Sequence, residues 1–388
     1  MRKILLFIIL LLILATTTAL ADNETRDLIE EQYEAAGVEK IKDVADKVID
    51  PQTRQVIPDF NVEKITKDLS AGKLEWNMDS LFKKVLGLLL KEIYLNAKIM
   101  LQLIVLAIIC GILTNLQSSF GKEGVGEVAF FACYIFLVGV MIKSFTYAVN
   151  LGRDVIDNMV MFMQSMVPTL MTLLISTGNI TSASIFQPAI LFSVQIIGTI
   201  IKNFLIPVLF FTTALSMVNN ISDKFHVTKL IDFMKQLGKW CLGILLTGFI
   251  GVITVQGLAS SVVDGVGSKT AKFAVGNFIP VVGGILSDAV DTVIGCSLIL
   301  KNAIGIAGLI IIVLICFIPV VKIMALITIY RLTGAIIEPV SDKRIVQCIT
   351  DLGNSLTLIF AMVVSVAVMF LLSITIVIGA GNISAMFR

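Results

Sequence analysis

Histidine is almost missing from this chain: His226 is the only one in 388 residues. That excludes His-paired catalysis and a multi-histidine metal site. Charge is scarce as well. Asp, Glu, Lys and Arg make up 15% of the residues and hydrophobic types 57%, whereas a soluble domain is about 25% charged and about 45–50% apolar. The net charge of +2 is too small to mark a nucleic-acid surface. The six cysteines, at 110, 133, 241, 296, 316 and 348, share no metal-ligand spacing and no disulfide pattern; they read as small packing residues. DGVGSKT (264–270) approaches a phosphate loop, but Ser268 stands where a glycine must precede the lysine. The chain is therefore expected to hold no cofactor and to be no enzyme, since no coherent nucleophile constellation is visible.

What it has instead is apolar length. Segments at about 94–116, 127–149, 159–177, 185–218, 240–262, 273–287, 289–330 and 352–379 are oily, and several reach the ~20 residues a helix needs to cross a bilayer. The fold class that follows is an all-α polytopic membrane protein. Two segments, 185–218 and 289–330, are too long for simple spans and are expected to break or bend. The start, MRKILLFIILLLILATTTALA, reads as a secretory signal over residues 1–21, cut after Ala21. Residues 22–92 carry 16 acidic and 11 basic side chains and no cysteine. They read as an exported, charged helical region ahead of a multi-span domain at 93–388, serving as a solvated spacer or a docking surface.

Prolines hint at duplication: Pro168 and Pro207 are spaced like Pro280 and Pro319, which suggests repeats over about 127–239 and 240–350. Lys and Arg concentrate in loops 219–239 and 331–347, which favours a cytoplasmic face for both, with residues 22–92 outside. That arrangement needs an odd number of crossings before residue 219, met by a re-entrant hairpin around Gly178-Asn179. In the second half, GNFIPVVGGILSDAVDTVIGCSLILKN (276–302) sets Asp288 and Asp291 in apolar sequence. Gly283-Gly284 reads as a helix end, Ser287-Asp288 as the next N-cap, and Asp291 lies on the same face. These residues, with Asn179 in the matching polar stretch ISTGNITSAS (175–184), are the candidates for a polar pathway or for helix caps. Lys301, ten residues past Asp291, would pair with it across a hairpin.

The run KFAVGNFIPVVGGILSDAVDTVIGCSLILKNAIGIAGL (272–309) resembles the signature region of the stage III sporulation protein AE family. VPTLMTLLISTGNITSASIFQP (167–188) does so too. The resemblance implies a role in endospore formation, within a set of membrane proteins that builds a channel-like complex between mother cell and forespore. It implies a place in the mother-cell membrane around the forespore and support of late forespore gene expression. The implied partners are the other stage III sporulation membrane proteins, among them a secretion-type ATPase. No catalytic residue carries over. The alternative is an autonomous secondary transporter coupling an ion through Asp288 and Asp291.

Overall fold

The computed structural model describes residues 33, 37–56, 78–120, 123–221, 227–278 and 283–386. The signal-like residues 1–21, His226 and Pro280 lie outside the described residues. The described elements are all helical: α1 (Val38–Val48), α2 (Pro51–Val56), α3 (Met78–Leu95), α4 (Ala97–Phe120), α5 (Glu123–Ser176), α6 (Ile180–Ile200), a π-helical turn (Ile201–Leu205), α7 (Ile206–Asn219), α8 (Thr228–Phe278), α9 (Gly283–Ile337) and α10 (Lys343–Met386). Among the described residues six helices are long and apolar enough to cross a membrane. The protein is an all-α polytopic membrane protein.

Several helices run on where hydropathy alone divides them. Segments 127–149 and 159–177 belong to one helix, α5, of 54 residues. The polar stretch between them, Asn150 to Asn158, is helical because only Gly152 weakens it and no proline stops it. The 289–330 segment does not break either. It belongs to α9, 55 residues long, which carries Pro319 inside it. A proline removes one backbone donor, a loss that neighbouring helices make tolerable in an apolar bundle. Segment 185–218 does bend its hydrogen bonding, through the π-helical turn that joins α6 to α7. The suggested repeat limits near 127, 239 and 350 fall inside α5, α8 and α10, and the 92/93 boundary falls inside α3.

Side-chain contacts fix the two ends of the bundle. At one, called the upper end, Asp351 on α10 accepts hydrogen bonds from Ser216 Oγ at 2.8 Å, Asn220 Nδ2 at 3.4 Å and Lys235 Nζ at 3.4 Å. Tyr134 on α5 donates to the Met217 carbonyl at 2.8 Å, with Cys348 Sγ 3.2 Å away. Ser341 Oγ bonds the Ala107 carbonyl of α4 at 3.1 Å. The α7–α8 and α9–α10 connections therefore share this end. There Arg344 lies over the Phe130 ring and bonds Asp342 at 3.2 Å. Burial pushes the Asp342 carboxyl up, but the Arg344 hydrogen bonds and charge outweigh it and hold it below its usual value. The other, lower end is the α5–α6 turn at Thr177-Gly178-Asn179.

Midway lies a waist. Asp157 on α5 and Lys202 in the π-helical turn form an ion pair at 2.6 Å, and Asn158 Nδ2 reaches the Val48 carbonyl at 3.5 Å. The second contact shows where α1 sits. Its apolar residues Val38, Ile41, Ala45 and Val48 recur at helical spacing and are buried against the bundle. Burying each Val or Ile stabilises the docking by about 1.5–3 kcal/mol. Part of the charged 22–92 region is thus built onto the membrane bundle. At its centre runs α9, with 61% of its most apolar stretch buried, against 22% for α4 and α8. Tyr134, Phe162, Phe186 and Phe370, and Tyr330 on α9 itself, have no exposed surface.

Candidate functional site: a buried polar cluster at the lower end

The α5–α6 turn follows from its sequence. Thr177 caps the end of α5, its Oγ1 bonded to the Leu174 carbonyl at 2.7 Å. Gly178 then takes φ 77°, left-handed backbone that costs other residues about 1–2 kcal/mol. Gly178→Val is therefore expected to destabilise the detergent-solubilised protein by about that amount, and Gly178→Asn by less, because Asn visits this region more readily. Thermal unfolding midpoints check the order; a valine variant as stable as the parent would contradict it.

Asn179 starts α6 but does not cap it. Its side chain turns back, Nδ2 donating to Thr177 Oγ1 at 2.7 Å, and makes no cap hydrogen bond. The cap comes from Asp264 on α8. Oδ1 accepts from the Thr181 backbone N–H at 2.9 Å and Oδ2 from that of Ser182 at 2.7 Å. Asp264 is 5% exposed. A buried carboxylate on two amides at the positive end of a helix has favourable electrostatics and saturates both donors. The carboxylate is the first residue of the DGVGSKT stretch.

Lys301 on α9 adds a buried amine. It is fully buried, and Nζ donates to the Ile378 carbonyl of α10 at 2.9 Å. An ammonium has three donors, and only this one hydrogen bond is made among the described residues. Gly381 makes room for it, since a Cβ there would collide with Nζ and stand 3.2 Å from Leu174 Cδ1. Leu174 in turn bonds the turn, its carbonyl accepting from the Asn179 N–H at 3.1 Å. The lysine is thus one side chain away from the α5–α6 turn. Around the two charges, Asn179 Oδ1, Ser182 Oγ, Asn302 Oδ1 and Asn382 Oδ1 are buried with no hydrogen-bond partner among the described residues. Orphaned polar atoms of this kind cost about 1–3 kcal/mol each, so the region stores polarity that packing does not use.

Of the residues expected from sequence, Asn179 is in this cluster. Gly283 and Gly284 are not a helix end: they are the first residues of α9. Ser287 and Asp288 therefore lie past the first turn, and the N-cap expected there is displaced. The side chains of Asp288 and Asp291 lie outside the described residues. Asp291 cannot pair with Lys301 across a hairpin, because continuous helix separates them by about 15 Å. Asp264 and Lys301 hold the two charges instead. No local motif marks Asp264; only its isolation after an uncharged run from Trp240 singles it out.

Comparison with known proteins bears on what this arrangement belongs to. The family profile for stage III sporulation protein AE matches residues 60–381. A curated relative, "Stage III sporulation protein AE" of Bacillus subtilis (strain 168), is 37% identical over 327 residues, covering 84% of this chain and 81% of the relative. No solved structure matches. With the match running from the end of α2 to the lower end of α10, through both polar stretches, the chain belongs to the stage III sporulation protein AE family.

Proposed function

We propose that the chain is a membrane component of a channel-like complex between mother cell and engulfed forespore, one that supports late forespore gene expression. Family membership supports the role in sporulation. The observation that favours a component over a self-sufficient channel is the filled core. The bundle interior holds fully buried aromatic side chains such as Phe162, Phe186 and Phe370, which supports a conducting path built from several chains. The partners are the other stage III sporulation membrane proteins, including a secretion-type ATPase that supplies energy this chain does not. Its place is the mother-cell membrane around the forespore, with residues 22–92 facing the space between the membranes. In this reading the chain is no enzyme; it shapes and gates.

A second reading, an autonomous ion-coupled transporter, is favoured by the buried Lys301 and Asp264, since ionisable groups inside a membrane mark transport paths. Flux into liposomes separates the two. Purified chain alone is expected to move no ions or small solutes. It is expected to copurify from sporulating cells with the other proteins of the complex. Gradient-driven uptake by the chain alone would establish the transporter.

A further inference from the structure

The long helices outrun any bilayer, and their charges divide them. α5, α8 and α9 have 54, 51 and 55 residues, about 80 Å each at 1.5 Å per residue, against a hydrocarbon core of ~30 Å. Below the waist the ionisable side chains run out. From Asn158 to Ser176 on α5, Ile180 to Ile201 on α6 and its continuation, Trp240 to Asp264 on α8, and Lys301 to Val321 on α9, the acidic and basic residues are only Asp264 and Lys301. Both are buried. Each of these stretches is about 28–38 Å long, close to one bilayer core. Above the waist the same helices expose Lys143, Lys229, Asp232, Arg331 and, on α10, Lys343. The same part of α5 also exposes Val128, Ile135 and Phe136, but ionisable side chains in that number are costly in lipid.

The two rims suit the same boundary. At the waist are the Asp157–Lys202 ion pair and Trp240, 63% exposed, a residue type enriched at headgroup depth. α1 lies there too, apolar face inward and Glu39, Lys40, Asp43 and Lys47 exposed. At the lower rim is the Thr177-Gly178-Asn179 turn, where α5 ends and α6 starts.

We propose that the bilayer wraps only the lower half of the bundle, with the waist at one headgroup boundary and the α5–α6 turn at the other. The crossing elements are α5, α6 with its continuation, α8, α9 and α10. α4 does not cross, for all its apolar composition. The upper half projects from the membrane. α1 and the α7–α8 and α9–α10 connections then lie on one side of the membrane. This departs from the loop-charge expectation, which sets 219–239 and 331–347 opposite residues 22–92. The positive-inside rule weighs charges in short loops beside a span, and here they are spread over a protruding body. The placement stands whether or not the chain serves a channel complex.

Single cysteines in the full-length chain, with the six native ones replaced, test it in sealed cells and inverted vesicles. An impermeant maleimide is expected to label Lys40→Cys and Lys229→Cys from the same face and Ser176→Cys from the other. A second readout needs only Trp76→Phe, which leaves Trp240 as the sole indole. In phosphatidylcholine vesicles, bromines near the headgroup are expected to quench it more than bromines near the chain ends. Labelling of positions 40 and 229 from opposite faces, or stronger quenching by the deep bromines, overturns the placement.

Discussion

Lys301→Met is expected to abolish spore formation while leaving the protein at its normal level in the membrane and at least as stable. The two halves of that expectation come from one observation. Lys301 is fully buried and makes one hydrogen bond, to the Ile378 carbonyl, so burying its amine is a burden on folding rather than a support. Methionine has a similar length and no charge. Stability should therefore stay level or rise by up to about 4 kcal/mol, the range seen when buried ion pairs give way to apolar side chains. If the ammonium serves the pathway, function goes while the fold stays. Normal spore yield would leave Lys301 without a role, and loss of the protein from the membrane would make it structural. Gly381→Ala supplies a control in the same place: its Cβ collides with Nζ, so it should destabilise the parent and do so far less in a Lys301→Ala background. The non-additivity measures the contact.

Asp264→Ala should be the most damaging single truncation at the lower end. It removes both acceptors of the α6 cap and strands the Thr181 and Ser182 amides, to which the carboxylate bonds at 2.9 and 2.7 Å. Solvent-exposed caps are worth about 0.5–2 kcal/mol. Hydrogen bonds to a charged group contribute about 1.5–3 kcal/mol each. A loss of about 2–4 kcal/mol is expected for this buried pair. Asn keeps one carbonyl oxygen and loses the charge, so Asp264→Asn should fall between alanine and the parent. Amide exchange at Thr181 and Ser182 reads the effect locally. Unchanged exchange in the alanine variant would show that Asp264 does not hold the turn.

The same residues show how far the sequence can be read. The α5–α6 turn is legible because Gly178-Asn179 interrupts an apolar run with the one residue type free to take positive φ. The apolar helices are legible from composition, and with them the polytopic fold. Their boundaries are less so. Hydropathy averages over a window, so the charged waist at Asp154 and Asp157 looks like a loop, yet backbone propensity across it is helical and α5 continues. At Gly283-Gly284 the opposite error arises. Paired glycines look like a helix end, but α9 begins there. Asp264 stays hidden for a different reason. It caps a helix whose first turn lies 82 and 83 residues earlier, a pairing set by the packing of α8 on α6 and by no local spacing. Lys301 is visible as a charge in an apolar run, but its environment depends on Gly381 and Leu174, far away in the chain.

The π-helical turn at Ile201–Leu205 has a consequence best put in codons. A π-turn holds one residue more than an α-helix of the same span would need, so chain length and facing are coupled there. Deleting any one of its five residues would let plain α-helix close across the gap. The helix from Ile206 onward would keep its facing, with Thr213 and Ser216 still in the core and Ser216 still beside Asp351. A one-codon deletion elsewhere in α6 or α7 would leave the π-turn in place and rotate the residues beyond it by about 100°. This segment is therefore where the gene can lose a codon with least strain and without reorienting the rest of the helix.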